Sequence, residues 1–230
     1  MSSKITLHDH SNLDGKHALF APSQSSWLRY DPEKIAERVR NQYRTTLGTE
    51  IHEFAAAEIE LGNKYKSTRE LIKSLQTYMY SKYKYLSDNL TVSSYAKKLI
   101  SNLKLLPKEV YEAVRFYIND GVGYKMDIEQ CVFYSDHIFG HADTLLYKDN
   151  LLRIHDLKTG AHIADIDQLK VYAALFCLEY ELKPSNMQFE LRLYQWDGVT
   201  IINPEPDEIR EITDIIVSVE NIAARTEKEV

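Results

Sequence analysis

The sequence predicts an α/β protein with a helical N-terminal half and a sheet in its C-terminal half. Three observations point there. Up to about residue 120, apolar residues recur at spacings of three and four, the period of a half-buried helix. Between 128 and 158 the pattern changes to short runs divided by turn signals. After Gly160 come a helical run, an alternating run and a second helical run, the succession expected of an α/β sheet. No repeat, low-complexity segment or linker divides the 230 residues, so they are read as one domain. Residues 1–120 are its mainly helical part, and residues 121–230 its sheet core and closing helices.

In chain order, residues 1–20 read as irregular, and APSQSSW (21–27) carries a helix-start signal. A helix is predicted from Asp31 to about Asn63. Asp31 caps it, Pro32 suits its first turn, and Gly62-Asn63 stop it. Ile51, Phe54, Ala55 and Ile59 mark its apolar face. Ser67 or Thr68 followed by Glu70 opens a second helix over 67–86 with a capping-box pattern. Pro107 to Asn119 reads as another, closed near Asp120-Gly121. Strands are predicted over 128–135, 138–147 and 151–158, with Lys148-Asp149-Asn150 as a hairpin turn. A helix over 163–182 has a broad apolar stripe. The run 187–196 alternates strictly, as a half-buried strand does. From Pro206 a closing amphipathic helix presents Ile209, Ile212, Ile215 and Ile216.

Composition narrows the class. The chain is 44% hydrophobic and 27% charged, ordinary values for a globular protein. A net charge of −6 shows no overall basic footprint of nucleic-acid binding, although a total says little about one groove. The polar start MSSKITLHDHSNLDGKH does not read as a signal peptide, so none is expected, and the longest apolar run, Val171–Leu178, is too short for a membrane span. No membrane association is expected. The two cysteines, Cys131 and Cys177, make no CxxC motif and no disulfide framework, which fits a reducing, cytoplasmic setting.

The stretch RIHDLKTG carries the chemistry. On a strand, Asp156 and Lys158 share a face, where a core strand would present apolar residues. If 138–147 and 151–158 pair as a hairpin across 148–150, opposing positions sum to about 299 and Asp143 faces Asp156. Two carboxylates about 5 Å apart at Cβ repel. A divalent cation between them removes the repulsion, and hard oxygen donors suit Mg²⁺, with Mn²⁺ able to substitute. Lys158 beside them can steer a hydroxide or offset charge on a phosphate oxygen. Asp143, Asp156 and Lys158 are thus the candidate catalytic residues for metal-assisted phosphodiester hydrolysis.

The run GHAD, twelve residues, then DLK and Gln168-Leu-Lys-Val-Tyr172 resembles the PD-(D/E)XK nuclease superfamily, most closely its RecB-like and phage exonuclease branch. That branch also has a histidine on an upstream helix, which GTEIHEF matches with His52. The resemblance covers about residues 48–172. It implies a restriction-endonuclease-like core, a mixed central sheet flanked by helices in αβββαβ order. It implies that His52, Asp143, Asp156 and the Leu157 carbonyl ligate the metal and that Lys158 is the catalytic lysine. Gln168 and Tyr172 would bind DNA or shape the site. Ser25, in a stretch resembling the S-x-S near the start of phage members, would join them. The implied activity is a Mg²⁺-dependent exonuclease acting on duplex ends in phage-type recombination or DNA repair, in the cytoplasm of a bacterial host. DNA is the implied partner, with an annealing or single-strand-binding protein beside it, and a homo-oligomer is among the arrangements the resemblance allows. An endonuclease of the same superfamily and a non-catalytic DNA-binding module with the same fold are the alternatives. The chain departs from the family's usual pattern at His155, where a hydrophobic residue often precedes D-x-K; alternation points it to the opposite face.

Other polar residues are read more plainly. Glu53 is a solvated helix residue; Glu129 is read as an exposed strand residue, the alternative being a carboxylate just outside the metal's own ligands. The tyrosines of TYMYSKYKY (77–85) are read as part of a partly buried helix with lysines on its wet side, the alternative being a platform for base stacking. His141, His162, Arg40, Arg44 and Lys66 stay open between a structural role and a DNA contact.

Overall fold

Pro32 begins the longest helix, α1 (Pro32–Glu60), and the Asp31 carboxylate accepts the Lys34 amide at 2.7 Å. The structure is a computed structural model and describes residues 18–85, 90–160 and 165–229. Further helices are α2 (Thr68–Tyr85), α3 (Leu90–Leu103), α4 (Lys108–Tyr124), α5 (Asp167–Glu179) and α6 (Pro206–Glu227). The strands are β1 (Asp127–Ser135), β2 (Ile138–Lys148), β3 (Leu151–Leu157), β4 (Gln188–Gln195) and β5 (Gly198–Ile202). The result is a mixed α/β fold with flanking helices and a helical N-terminal half, as the sequence predicts. By contacts the chain divides into two units, Met1–Thr46 and Leu47–Val230, so the boundary falls inside α1. In the first, Phe20 and Trp27 stack edge to face and the Trp27 indole donates to the Ala21 carbonyl at 3.0 Å. The predicted helix start at 21–27 is a 3-10 helix, Pro22–Arg29, with a kink at Gln24.

In the second unit the strands lie in chain order, β1-β2-β3-β4-β5. Every neighbouring pair is antiparallel except β3 and β4, which run parallel. A parallel pair needs a crossover, and α5 supplies it. The β2–β3 register pairs Thr144 with His155 and Leu145 with Ile154, the predicted sum of 299. The turn between them is tight because Asp149 and Asn150 both have positive φ, 53° and 61°, as a two-residue hairpin turn demands. The sequence reading did not include β5, which closes a short hairpin with β4.

One sheet face packs on α5 and α6. Val132, Leu152, Ile154, Leu191 and Leu193 meet Leu169, Ala173, Phe176, Ile209 and Ile216 there, all buried. Each Val, Leu, Ile or Phe side chain buried there contributes about 1.5–3 kcal/mol. Tyr117 and Tyr124 of α4 lie against Tyr194 and His155 on the other face.

Three predicted boundaries move. The helix closing near Asp120-Gly121 continues to Tyr124. Gly121 lies inside it because a Cβ there would fall 2.7 Å from Ile59 Cδ1, so it lets α1 and α4 approach. The helix predicted over 163–182 is α5; residues 163–164 lie outside the described residues, and Glu181 ends the turn with φ 53°. Helix α3, not read from the sequence, fills much of the interval before Pro107. Ile215, expected on the apolar face of α6, points outward. No described helix is long and apolar enough to cross a membrane. Cys131 and Cys177 are both free.

Candidate active site

β3 ends where the polar residues collect. Asp156 and Leu157 are its last two positions, and the Lys158 amide still donates to the Tyr194 carbonyl at 2.8 Å, extending the parallel ladder by one bond. Asp143 lies one step beyond the last regular β2–β3 pair. Its Oδ2 accepts the Leu157 N–H at 2.8 Å, so a carboxylate takes a hydrogen bond at the sheet edge. Opposite this point on β1, Glu129 has a φ of 50°, a left-handed residue that interrupts the even alternation of the β1–β2 ribbon.

His52 reaches the same carboxylate from α1. Its Nδ1 lies 3.4 Å from Asp143 Oδ2. Lys158 Nζ lies 3.1 Å and 2.9 Å from the two oxygens of Asp156 and 3.3 Å from Gln168 Oε1. Gln168 then donates its amide to the Tyr172 hydroxyl at 2.7 Å, one turn further along α5. The Tyr172 ring lies over Gly140, where a Cβ would come within 2.7 Å of it. Gly48 does the same for Thr159, whose Oγ1 would stand 3.0 Å from an added Cβ. Two glycines thus let a ring and a hydroxyl close in on the end of β3.

The electrostatics are those of a strained pair. The Asp156 side chain is 5% exposed. Burial, then the negative charge of Asp143, pushes its pKa up to about 6, while Lys158 and His52 pull the other way. Asp156 Oδ2 is buried without a well-directed hydrogen bond, although the Lys158 ammonium touches it. Burial disfavours the His52 imidazolium, but the hydrogen bond and charge of Asp143, with the charge of Asp156, outweigh it and raise its pKa. Among the described residues no group of three or more His, Cys, Asp or Glu is arranged to hold a metal ion. Here Asp156 is engaged by Lys158.

Behind the site, on the α4 face, lies a polar cluster that sequence reasoning missed. His155 is fully buried and faces away from Asp156, as alternation predicts. Burial, with Arg192 and Arg153 nearby, drives its pKa down to about 3, so it is neutral. Tyr194 donates to Asp120 at 2.7 Å, and Arg192 donates to Asp120 at 2.9 Å and to Tyr124 at 2.8 Å. No local pattern ties residue 120 to residues 192 and 194.

The predicted site residues therefore gather with one exception. His52, Asp143, Asp156, Leu157, Lys158, Gln168 and Tyr172 share contacts in one region, with Leu157 seen there through its N–H. Ser25 is exposed on the 3-10 helix of the first unit. Glu53 is not simply solvated, because it pairs with Lys82, which also holds the buried Glu50 at 2.8 Å. Tyr83 donates to Glu50 at 2.8 Å and Met79 is fully buried, so much of the 77–85 run serves helix packing. Arg40 pairs with Glu33 at 3.2 Å and Arg44 bonds Asn41 at 3.3 Å. His141 and Lys66 are exposed, and His162 lies outside the described residues.

A family model described as a protein of unknown function, DUF2800, matches residues 17–224. No curated protein matches the chain. Among solved structures, that of SSO0001 is similar over 74% of this chain and 86% of its own, at 12% identity and a TM-score of 0.28. A likeness that loose carries no argument about activity.

Proposed function

The chain belongs to the DUF2800 family, and we propose that its site is that of a metal-dependent DNA nuclease acting on duplex ends, on a restriction-endonuclease-like core. The observation that carries this reading is the meeting of two carboxylates, a lysine and a histidine at the end of β3. Burying Asp156 beside Asp143 costs stability, and such arrangements concentrate at reactive sites. The donor set fits a hard divalent cation, since Asp156 Oδ2 is buried without a directed hydrogen bond and Asp143 stands beside it. Asp143 and Asp156 would hold Mg²⁺ or Mn²⁺, with His52 and the Leu157 carbonyl as the further ligands the resemblance implies. When bound, the ion supplies charge neutralisation and an acidified water.

The protein's own groups do the rest. Lys158, released from Asp156, offsets the negative charge that grows on the phosphate during attack. Gln168 holds the Lys158 ammonium through its carbonyl, and its amide fixes it to Tyr172. Tyr172 is seated over Gly140, so the lysine's reach is set by packing rather than by a flexible stem alone. The product would be a processed DNA end, a substrate for an annealing or single-strand-binding partner.

The test is digestion of linear and closed-circular duplex with Mg²⁺ or EDTA, comparing wild type with Asp156→Ala and Lys158→Ala. The expected result is loss of linear DNA only, dependent on Mg²⁺ and abolished in both variants with folding intact. Cutting of closed circles makes the protein an endonuclease. DNA binding without cleavage in Mg²⁺ or Mn²⁺ makes it a non-catalytic module.

A further inference from the structure

The rotation of α6 about its axis is fixed by its contacts. Ile209 and Ile216 are buried against α5, Lys170 of α5 binds Glu208 at 3.1 Å, and His137 meets Glu220 at 3.2 Å. That rotation sends Ile215, Val219 and Ile222 outward, 60%, 49% and 62% exposed. Spaced by four and then three, they form one continuous apolar stripe, the seam pattern of a helix that packs on another helix. Exposed apolar residues scattered singly need no explanation, but a seam does.

Its flank shows what fits. Glu211, Ser218 and Arg225 lie seven residues apart and so run along one edge of the stripe. Among the described residues neither the Glu211 carboxylate nor the Arg225 guanidinium has an ion-pair or hydrogen-bond partner. The acid and the base stand equally far on either side of Ser218.

We propose that this face of α6 binds the same face of a second copy, antiparallel, about a two-fold axis at Ser218. That symmetry sets each Glu211 opposite the partner's Arg225, twice over. At about 1.5 Å rise per residue, Ile215 then stands between the levels of the partner's Val219 and Ile222, so the seams interdigitate. A parallel pairing would put glutamate on glutamate and arginine on arginine. A membrane is the poorer fit, because Asp207, Glu208, Glu211 and Asp214 crowd one end of the helix. A three-residue seam is short, so the dimer is a weak one with a dissociation constant in the micromolar range.

The experiment is sedimentation velocity on the full chain over roughly 1–200 µM, with circular dichroism as the folding control. Wild type should show a concentration-dependent dimer, and Ile222→Asp a monomer with an unchanged spectrum. Glu211→Lys and Arg225→Glu should each weaken association about tenfold, and the two together should restore it, because the swap keeps each pair opposite in sign. A wild type monomeric throughout overturns the proposal. So does a dimer indifferent to Ile222→Asp, a double swap that fails to restore association, or a monomer that binds phosphatidylcholine vesicles through Ile222. None of these residues belongs to the site at β3, so the result is independent of nuclease activity.

Discussion

Replacing Asp156 with Asn tests the electrostatic account of the site directly. Asp156 ordinarily titrates near 3.8 and is pushed up to about 6 in the folded protein, burial being the main cause. The folded state therefore keeps a proton between those values that the unfolded chain releases, and stability falls as pH rises through that window. Below pH 3.8 the penalty is absent; above about 6 it is complete. At about 1.4 kcal/mol per pH unit, the gap is worth about 3 kcal/mol. Asn keeps the shape and removes the charge. The attraction of Lys158 is already contained in that gap, since it is one of the influences that hold the Asp156 pKa at about 6, and with a side chain 32% exposed the lysine can turn to water in the variant. The variant should gain about 3 kcal/mol over wild type at pH 8 and nothing at pH 3.5. The assay is urea unfolding in EDTA, followed by tryptophan fluorescence at several pH values. In a thermal melt at pH 8 the gain should read as about 6–12 °C. A variant less stable at pH 8, or a difference that does not change with pH, refutes the reasoning. Mg²⁺ should stabilise wild type and leave the variant unmoved.

Three further outcomes follow from the geometry. Gly140→Ala places a Cβ against the Tyr172 ring; it should cost about 1–3 kcal/mol in urea unfolding and slow digestion of linear duplex about tenfold or more with DNA binding retained. His155 is held neutral, with a pKa of about 3 against an ordinary 6.5, so the unfolded chain takes up its proton first and stability drops as pH falls through that range. His155→Phe keeps an aromatic ring between Tyr124 and Tyr194 and should flatten the acid limb of a stability–pH curve. Tyr194→Phe removes the donor to Asp120, which still accepts from Arg192; calorimetry at pH 7 should show a loss of about 1–2 kcal/mol.

Local signals were the ones the sequence made readable. The two-residue turn at Asp149-Asn150 sets the β2–β3 register, and that register brings Asp143 to the end of β3 beside Asp156. The capping residues Asp31 and Ser67 mark helix starts because their side chains bond the first turn, with Ser67 Oγ accepting the Glu70 amide at 3.3 Å. What was hidden depends on distant partners. Gly121 looks like a helix stop until Ile59 is placed against it. The outward turn of Ile215 depends on where α5 and the β1–β2 turn grip α6, which periodicity within the helix does not reveal. The engagement of Lys158 by Gln168 crosses a loop between strand and helix, so no single element's pattern announces it.

The one parallel pairing in the sheet has a temporal meaning. β2 and β3 close across two residues and can associate as soon as both leave the ribosome. The backbone amide of Lys158 waits for Tyr194, which arrives only after the whole of α5 and its following turn have been made. Synthesis of that span, at about 5–20 residues per second, takes far longer than closing the loop, and any interruption before β4 leaves the pairing unmade. A growing chain therefore carries both acids and the lysine well before it can hold them rigidly, and the site matures late, when synthesis of the sheet is nearly done.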